Sequence, residues 1–230
     1  MIVNPFGGQI YHFAQISSTM DIAKKNLSSG NLFTADYQTQ GRGRVYQRQW
    51  QSEKSKNLLF TLVLPLSDSE KSPISLLAAL ALHRALFAYS IHAQIKWPND
   101  VLVNDAKIAG ILAEVYQDYV LLGIGINVNQ TDFSNVEKEI TSMKLLLGKD
   151  SHSDELLSQF LQELYTLVHH QQDWNREINE HLWARDRVVD YYIDIRHQKK
   201  ISGKIICVQS DGALQIMTEQ GLEVLYSAEN

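Results

Sequence analysis

"VLVNDAKIAGILAEVYQDYVLLGIGINV", residues 101–128, decides the fold class. Its first half is an apolar stretch folded about Asn104-Asp105, a pair that favours a tight turn between strands. "YVLLGIGINV" (119–128) is then a further strand, broken by two glycines. Working outward, "AQIKW" (93–97) reads as a strand, and "NLLFTLVLPL" (57–66) is short and continuously apolar, as a buried strand is. Between those two, Ser75 to Ala88, "SLLAALALHRALFA", is too long and too rich in Ala and Leu for a strand and predicts a buried helix. Upstream, "QIYHFAQI" (9–16) alternates like a strand, and "SSTMDIAKKNLSSG" (17–30) predicts a helix entered through Ser/Thr and closed at Gly30. "NLFTADY" (31–37) follows as a second strand.

Downstream, residues 136–183 turn helical, with Leu156, Leu157, Phe160, Leu161, Leu164, Leu167 and Val168 recurring at spacings of three and four. From about Asp186 short strand-like pieces take over: "VVDYYIDI", "KISGKIICVQ", "ALQIMT" and "LEVLYS". They are separated by turns at His197-Gln198, Ser210-Asp211-Gly212 and Gln220-Gly221. The expected class is α/β (α+β): a mixed-sheet domain over residues 1–184 and a small β-barrel over 185–230, too small to stand alone and so packed on the first.

Bulk properties narrow the function. A chain of 230 residues with 44% hydrophobic content can bury a large core. A net charge of -5 argues against a general polyanion binder, since nucleic-acid affinity rests on Lys and Arg neutralising phosphates. No signal peptide and no membrane span is legible, and one cysteine, Cys207, suits a reducing cytoplasm. The eight histidines are scattered and join no thiolate cluster, which favours solvated or structural roles over a metal site.

Against that acidic background "GRGRVYQRQW" (41–50) carries three arginines and no acid. Arginine forks suit a carboxylate or phosphate, and Gly41 and Gly43 let backbone approach a ligand; a solvated surface loop is the alternative. Fixing ten backbones costs on the order of 10–20 kcal/mol, so the loop is expected to take its order from a ligand or a partner, a ligand with an anion and, for Trp50, a flat ring being suited to it. In "KWPNDVLVNDAKIAG" (96–110), Trp97-Pro98 sets an extended entry and Asn99-Asp100 a turn that puts polar groups at a strand end. Lys107 either projects into solvent or enters a cleft as an anion stabiliser. "GIGIN" (123–127) favours close approach of a ligand, and lacks the third glycine and following helix of a dinucleotide fingerprint.

Together "SST" (17–19), "YQTQGRGR" (37–44) with Trp50, "KWPNDVLVNDAKIAGIL" (96–112) and "GIGINV" (123–128) resemble, in the same order, the biotin protein ligases, or biotin–[acetyl-CoA-carboxylase] ligases. The resemblance implies a mixed-sheet catalytic domain with a C-terminal SH3-like barrel, acting on biotin and ATP with Mg²⁺ as cofactor. The implied product is biotinyl-5′-AMP, whose biotinyl group passes to a lysine of a biotin carboxyl carrier protein domain. Carried over, Ser18, Thr19 and Gln38 match positions that bind biotin's ureido ring, with Met20 standing where the family commonly has Asn. Gly41, Arg42, Gly43 and Arg44 match the loop over biotin's carboxylate and the adenylate phosphate, and Lys107 the lysine at the reacting carboxyl and α-phosphate. Asn99, Asp100 and Asn127 fall where nucleotide and Mg²⁺ are held, Asp100 being the metal candidate; Gly110 and Gly125 complete the binding set. Arg42 and Lys107 are the expected catalytic pair, Trp50 and Phe133 the candidates to stack on adenine, and Arg48 is left without a role.

The chain begins about fifteen residues before "SST", which leads to the expectation of a ligase without the N-terminal DNA-binding domain of the bifunctional repressor-ligases, hence no DNA partner and no membrane. Family members are monomers or homodimers, with the sheet edge as a candidate interface. The rival readings are a lipoate or octanoyl ligase of the same fold and a non-catalytic biotin or nucleotide sensor.

Overall fold

The computed structural model describes residues 1–44, 49–70, 73–134, 139–170, 173–194 and 199–228. A seven-stranded sheet runs β1(Ile10–Phe13), β2(Leu32–Ala35), β3(Asn57–Pro65), β7(Tyr119–Asn127), β6(Ala106–Tyr116), β5(Asp100–Val103), β4(Gln94–Lys96) in spatial order. β1 and β2 are parallel and every other neighbour is antiparallel. The β5–β6 hairpin turns on Asn104 and Asp105 with φ of 51° and 64°, a pair of left-handed positions that Asn and Asp tolerate.

One face of this sheet is covered by α3(Ile74–Phe87), which is buried nearly all round, and by the amphipathic α5(Ser153–His169). Leu156, Leu157, Phe160, Leu161, Leu164 and Leu167 of α5 are buried, and Phe160 meets Phe60 of β3 edge-on at 5.4 Å. β3 is apolar on both sides because both its faces are covered. Leu58, Phe60, Leu62 and Leu64 join the large core, while Val63 faces a smaller cluster with Met20, Ala23, Phe33 and Leu121. That smaller cluster is covered by α1(Thr19–Ala23), which ends nearly two turns earlier than the helix predicted to close at Gly30. So short a helix covers little of its sheet face, and the cleft described below opens beside it.

Three helices complete this part: α2(Leu66–Glu70), which sequence reading did not predict, α4(Met143–Leu147) and α6(Trp174–Glu180). At the C-terminus β8(Val188–Asp194), β9(Lys199–Val208), β10(Leu214–Thr218) and β11(Gly221–Leu225) form an antiparallel meander. The expected His197-Gln198 turn lies outside the described residues. Tyr191, Ile205, Val208, Leu214 and Ile216 belong to the same continuous core as the large sheet. The Asn175 and Asn179 amides of α6 both donate to the Val208 carbonyl at 2.9 Å, and Trp97 Nε1 donates to the Gly212 carbonyl at 2.9 Å. Among the described residues no helix is long and apolar enough to cross a membrane.

Candidate active site

The floor of the cleft is the β6–β7 ladder. Gly110 stands opposite Gly125 and Leu112 opposite Gly123, so on one side of two adjacent strands three of these four positions have no side chain. The Trp50 indole lies on this glycine strip. A Cβ on Gly125 would come within 2.5 Å of that ring, and one on Gly110 within 3.1 Å. The place of a side chain at Gly123 is taken by Met20, whose Sδ would stand 2.8 Å from a Cβ there. The sulphur is therefore a wall of the pocket, and Met20 itself is buried.

Lys107 turns into this cleft because the strand pairing slips beside it. Val101 pairs with Ala109 but Leu102 pairs with Lys107, which leaves Ile108 as the extra residue of a β-bulge. The bulge brings Lys107 to the side of Gly110, where its Nζ reaches Asp100 Oδ1 at 2.7 Å and lies 5.6 Å from the Trp50 ring centroid. The backbone of Lys107 is held on its far side, its N–H by the Glu139 carbonyl at 2.8 Å and its carbonyl by the Thr141 N–H at 3.0 Å.

The opposite end of the cleft is neutral and polar. Gln38 Oε1 accepts from the Thr19 N–H at 2.7 Å and from Thr19 Oγ1 at 3.0 Å, and Thr61 Oγ1 donates to Thr19 Oγ1 at 2.8 Å. Ser18 occupies the N-cap of α1 in an extended conformation without capping its own helix, and it lines the cavity beside Thr19.

The arginine loop is anchored in part by the protein itself, which differs from the expectation that its order comes from a ligand or a partner. The Trp50 N–H donates to the Gly41 carbonyl at 3.1 Å, and Arg42 pairs as a β-bridge with Gln49. Arg42 Nη2 then meets Asp21 Oδ1 of α1 at 2.6 Å. Arg44 reaches the end of the chain, donating to Ser227 Oγ at 3.1 Å and to the Ala228 carbonyl. Residues 45–48, and with them Arg48, lie outside the described residues.

Ser18, Thr19, Met20, Gln38, Arg42, Gly43 and Arg44 thus converge with Trp50, Asn99, Lys107, Gly110 and Gly125 on one cavity of ≈ 70 Å³. That volume holds little more than a pair of waters, because the Trp50 ring fills the glycine strip. Its Nε1 is buried without a hydrogen-bond partner among the described residues, an unusual position for an indole N–H. Gly41 and Asp100 sit just behind the lining, joined to it through Trp50 and Lys107. The two asparagines are engaged with backbone. Asn99 Nδ2 donates to the Ile111 carbonyl at 2.8 Å, and the buried Asn127 donates to the Thr141 carbonyl at 3.1 Å outside the cavity lining. Phe133 is half-buried and also lies outside the lining. Sequence reading missed Asp21 and Thr61. The signal for Thr61 was legible, as the lone hydroxyl inside "NLLFTLVLPL".

Residues 12–130 match the biotin/lipoate A/B protein ligases, just over half the chain. The chain belongs to the biotin/lipoate A/B protein ligase family. Among curated relatives, the bifunctional ligase/repressor BirA of Bacillus spizizenii is 32% identical over 93% of this chain and 71% of its own length. The biotin–[acetyl-CoA-carboxylase] ligase of Mycobacterium tuberculosis is 33% identical over 59% of this chain and 53% of its own. Among solved structures, the biotin protein ligase of Aquifex aeolicus in complex with biotin and ATP superposes with a TM-score of 0.87 at 28% identity, covering 97% of each chain. The mixed sheet and the C-terminal meander are thus both part of the ligase fold.

Proposed function

We infer that this member of the family is an ATP-dependent biotin protein ligase, a biotin–[acetyl-CoA-carboxylase] ligase that makes biotinyl-5′-AMP and transfers biotin to a lysine of a carrier domain. The observation that carries the reading is the polarity of the cleft: a neutral hydrogen-bonding end at Thr19 and Gln38, and a cationic end at Lys107 and Arg42. Biotin has that same polarity, with an uncharged ureido ring at one end and a carboxylate at the other. The likeness to a relative and a solved structure named for biotin favours biotin over lipoate within the family.

In the first step a biotin carboxylate oxygen attacks the α-phosphorus of ATP, the bond from that phosphorus to the bridging oxygen breaks, and pyrophosphate leaves. Two anions must meet, and negative charge accumulates on the α-phosphate oxygens. Lys107, projected by the bulge beside the glycine strip, supplies a fixed positive charge at that point, and Arg42 a second from the loop. In the second step the acceptor lysine's neutral amine attacks the acyl carbon, and AMP departs with the phosphate oxygen. Arg42 and Arg44 hold the adenylate between the two steps.

Mg²⁺ fits this site as a companion of the nucleotide. Asp100, a single carboxylate paired with Lys107, would hold it together with substrate phosphates, and the ion would supply neutralisation of the triphosphate's charge. The working division is a catalytic unit over 1–184 and a C-terminal unit over 185–230, with Arg44 bound to the second. A cytoplasmic location is supported by the single free cysteine.

Incubation with biotin, MgATP and a biotin carrier domain is expected to release pyrophosphate and label one carrier lysine. Pyrophosphate release with lipoate in place of biotin would assign the lipoate branch, and binding of biotin without any adenylate by mass measurement would assign a sensor.

A further inference from the structure

We propose that Thr61, on the central strand β3, is a positioning residue that holds the Thr19 hydroxyl on the amide oxygen of Gln38, so securing the face that Gln38 presents to the cleft and, through it, the selectivity for a ligand with a ring carbonyl. The proposal rests on the biotin reading.

One backbone group sets the direction of the whole chain of bonds. The Thr19 N–H can only donate, and it lies 2.7 Å from the Gln38 side chain, so the atom facing it must be the amide oxygen. That oxygen carries no hydrogen, so Thr19 Oγ1, 3.0 Å away, must spend its own proton on it. The Thr19 oxygen then has only lone pairs left, and Thr61 Oγ1 at 2.8 Å must donate to it. Thr61 is fully buried and Thr19 is 2% exposed, so water does not substitute for either partner.

The consequence falls on Gln38 Nε2. With its oxygen locked by two donors, Gln38 offers the cavity its two amide hydrogens, which have no protein acceptor among the described residues. The neutral end of the cleft is therefore a donor, matched to a carbonyl oxygen and mismatched to an N–H at the same place. Removing the Thr61 hydroxyl leaves the Thr19 hydroxyl free to turn, so the second of the two bonds that hold the Gln38 amide in this sense is no longer fixed in direction. Thr61 sits on the α1 side of β3, alongside Val63, so it does this from behind the ligand wall.

The test uses Thr61→Val, which keeps shape and removes the donor, and Thr61→Ser, which restores it. Biotin is compared with 2-iminobiotin, in which an N–H group replaces the ring carbonyl oxygen. Thr61→Val is expected to raise the KM for biotin about tenfold, with kcat and the KM for ATP within about twofold, and to narrow the preference for biotin over 2-iminobiotin by about tenfold. Thr61→Ser is expected to recover both. An unchanged KM for biotin, or equal weakening of both ligands, overturns the proposal. If Thr61→Val does not fold, Thr61→Cys, a weak donor of similar size, must show the same narrowing or the proposal fails. Wild-type protein that shows no biotin-dependent pyrophosphate release refutes the biotin reading instead, independently of any variant.

Discussion

The two ends of the cleft are built to different rules. The neutral end stands on α1 and β3, with Thr19 and Thr61 buried and Gln38 held against Thr19 by two bonds. The cationic end is borrowed from the periphery. Arg42 and Asp21 are each about two-fifths exposed, Arg44 depends on the last residues of the chain, and Lys107 owes its direction to a bulge. Recognition of an uncharged ring needs donors and acceptors fixed to within a few tenths of an ångström, which only packed structure supplies. Charge acts over longer distances and tolerates adjustment, so it can sit on groups that exchange one anion for another.

The sharpest way to separate the ends is Lys107→Ala. It is expected to slow adenylation by about 10²–10³-fold while biotin affinity stays within about threefold, because the lysine matters most when charge develops on the phosphate. Single-turnover kinetics beside calorimetric biotin binding measures both. Equal loss in the two would erase the distinction between the ends. Arg42→Ala is expected to raise the adenylate off-rate by about tenfold, with a shallower dependence on salt than wild type, since Arg42 must leave Asp21 to hold the phosphate. An unchanged off-rate would remove the loop from ligand retention.

The smallest effect concerns support rather than chemistry. His83 of α3 stacks on His181 at 4.0 Å, donates from Nδ1–H to the Ala93 carbonyl at 2.8 Å, and lies near the Arg84–Glu177 ion pair. Burial, and to a lesser extent His181 and Arg84, hold its pKa below the ordinary 6.5, against the opposing pull of the Ala93 bond and Glu177. The unfolded chain therefore binds the proton more readily, so stability is full above about pH 6.5 and declines as pH falls from there through the folded pKa. Glu177 is held below its ordinary 4.5 chiefly by the Arg84 hydrogen bond, so a second loss begins as pH falls below about 4.5. Thermal melting from pH 8 to 5 is expected to show the first decline in wild type and a flatter profile in His83→Gln. An identical profile in both would locate the titrating group elsewhere.

Much of this was legible before any coordinates. "NLLFTLVLPL" reads as a strand covered on both faces because it has no polar alternation, and the Asn104-Asp105 hairpin is chemically marked by residues that tolerate positive φ. α3 is read to within a residue from its length and its Ala and Leu content. α1 is not, because "KKNLSS" continues a plausible helix and only the docking of Met20 and Ala23 into a small cluster decides where it stops. The four chain motifs name most of the cavity lining. They do not name Asp21, which lacks any local mark of its pairing with Arg42, or Ser227, 183 residues from Arg44.

Residue type and local spacing by themselves determined the strands, the buried helix, the loop rich in arginine and the family, because these depend on propensity, periodicity and short motifs. Tertiary structure alone decided where the charges point and what they touch. The slip between β5 and β6 turns Lys107 into the cleft, the glycine strip admits Trp50, and a single backbone N–H on α1 fixes the sense of a hydrogen-bond chain that ends at the ligand. Each of these is a pairing between distant segments, and neither partner carries a mark of the other in its own neighbourhood.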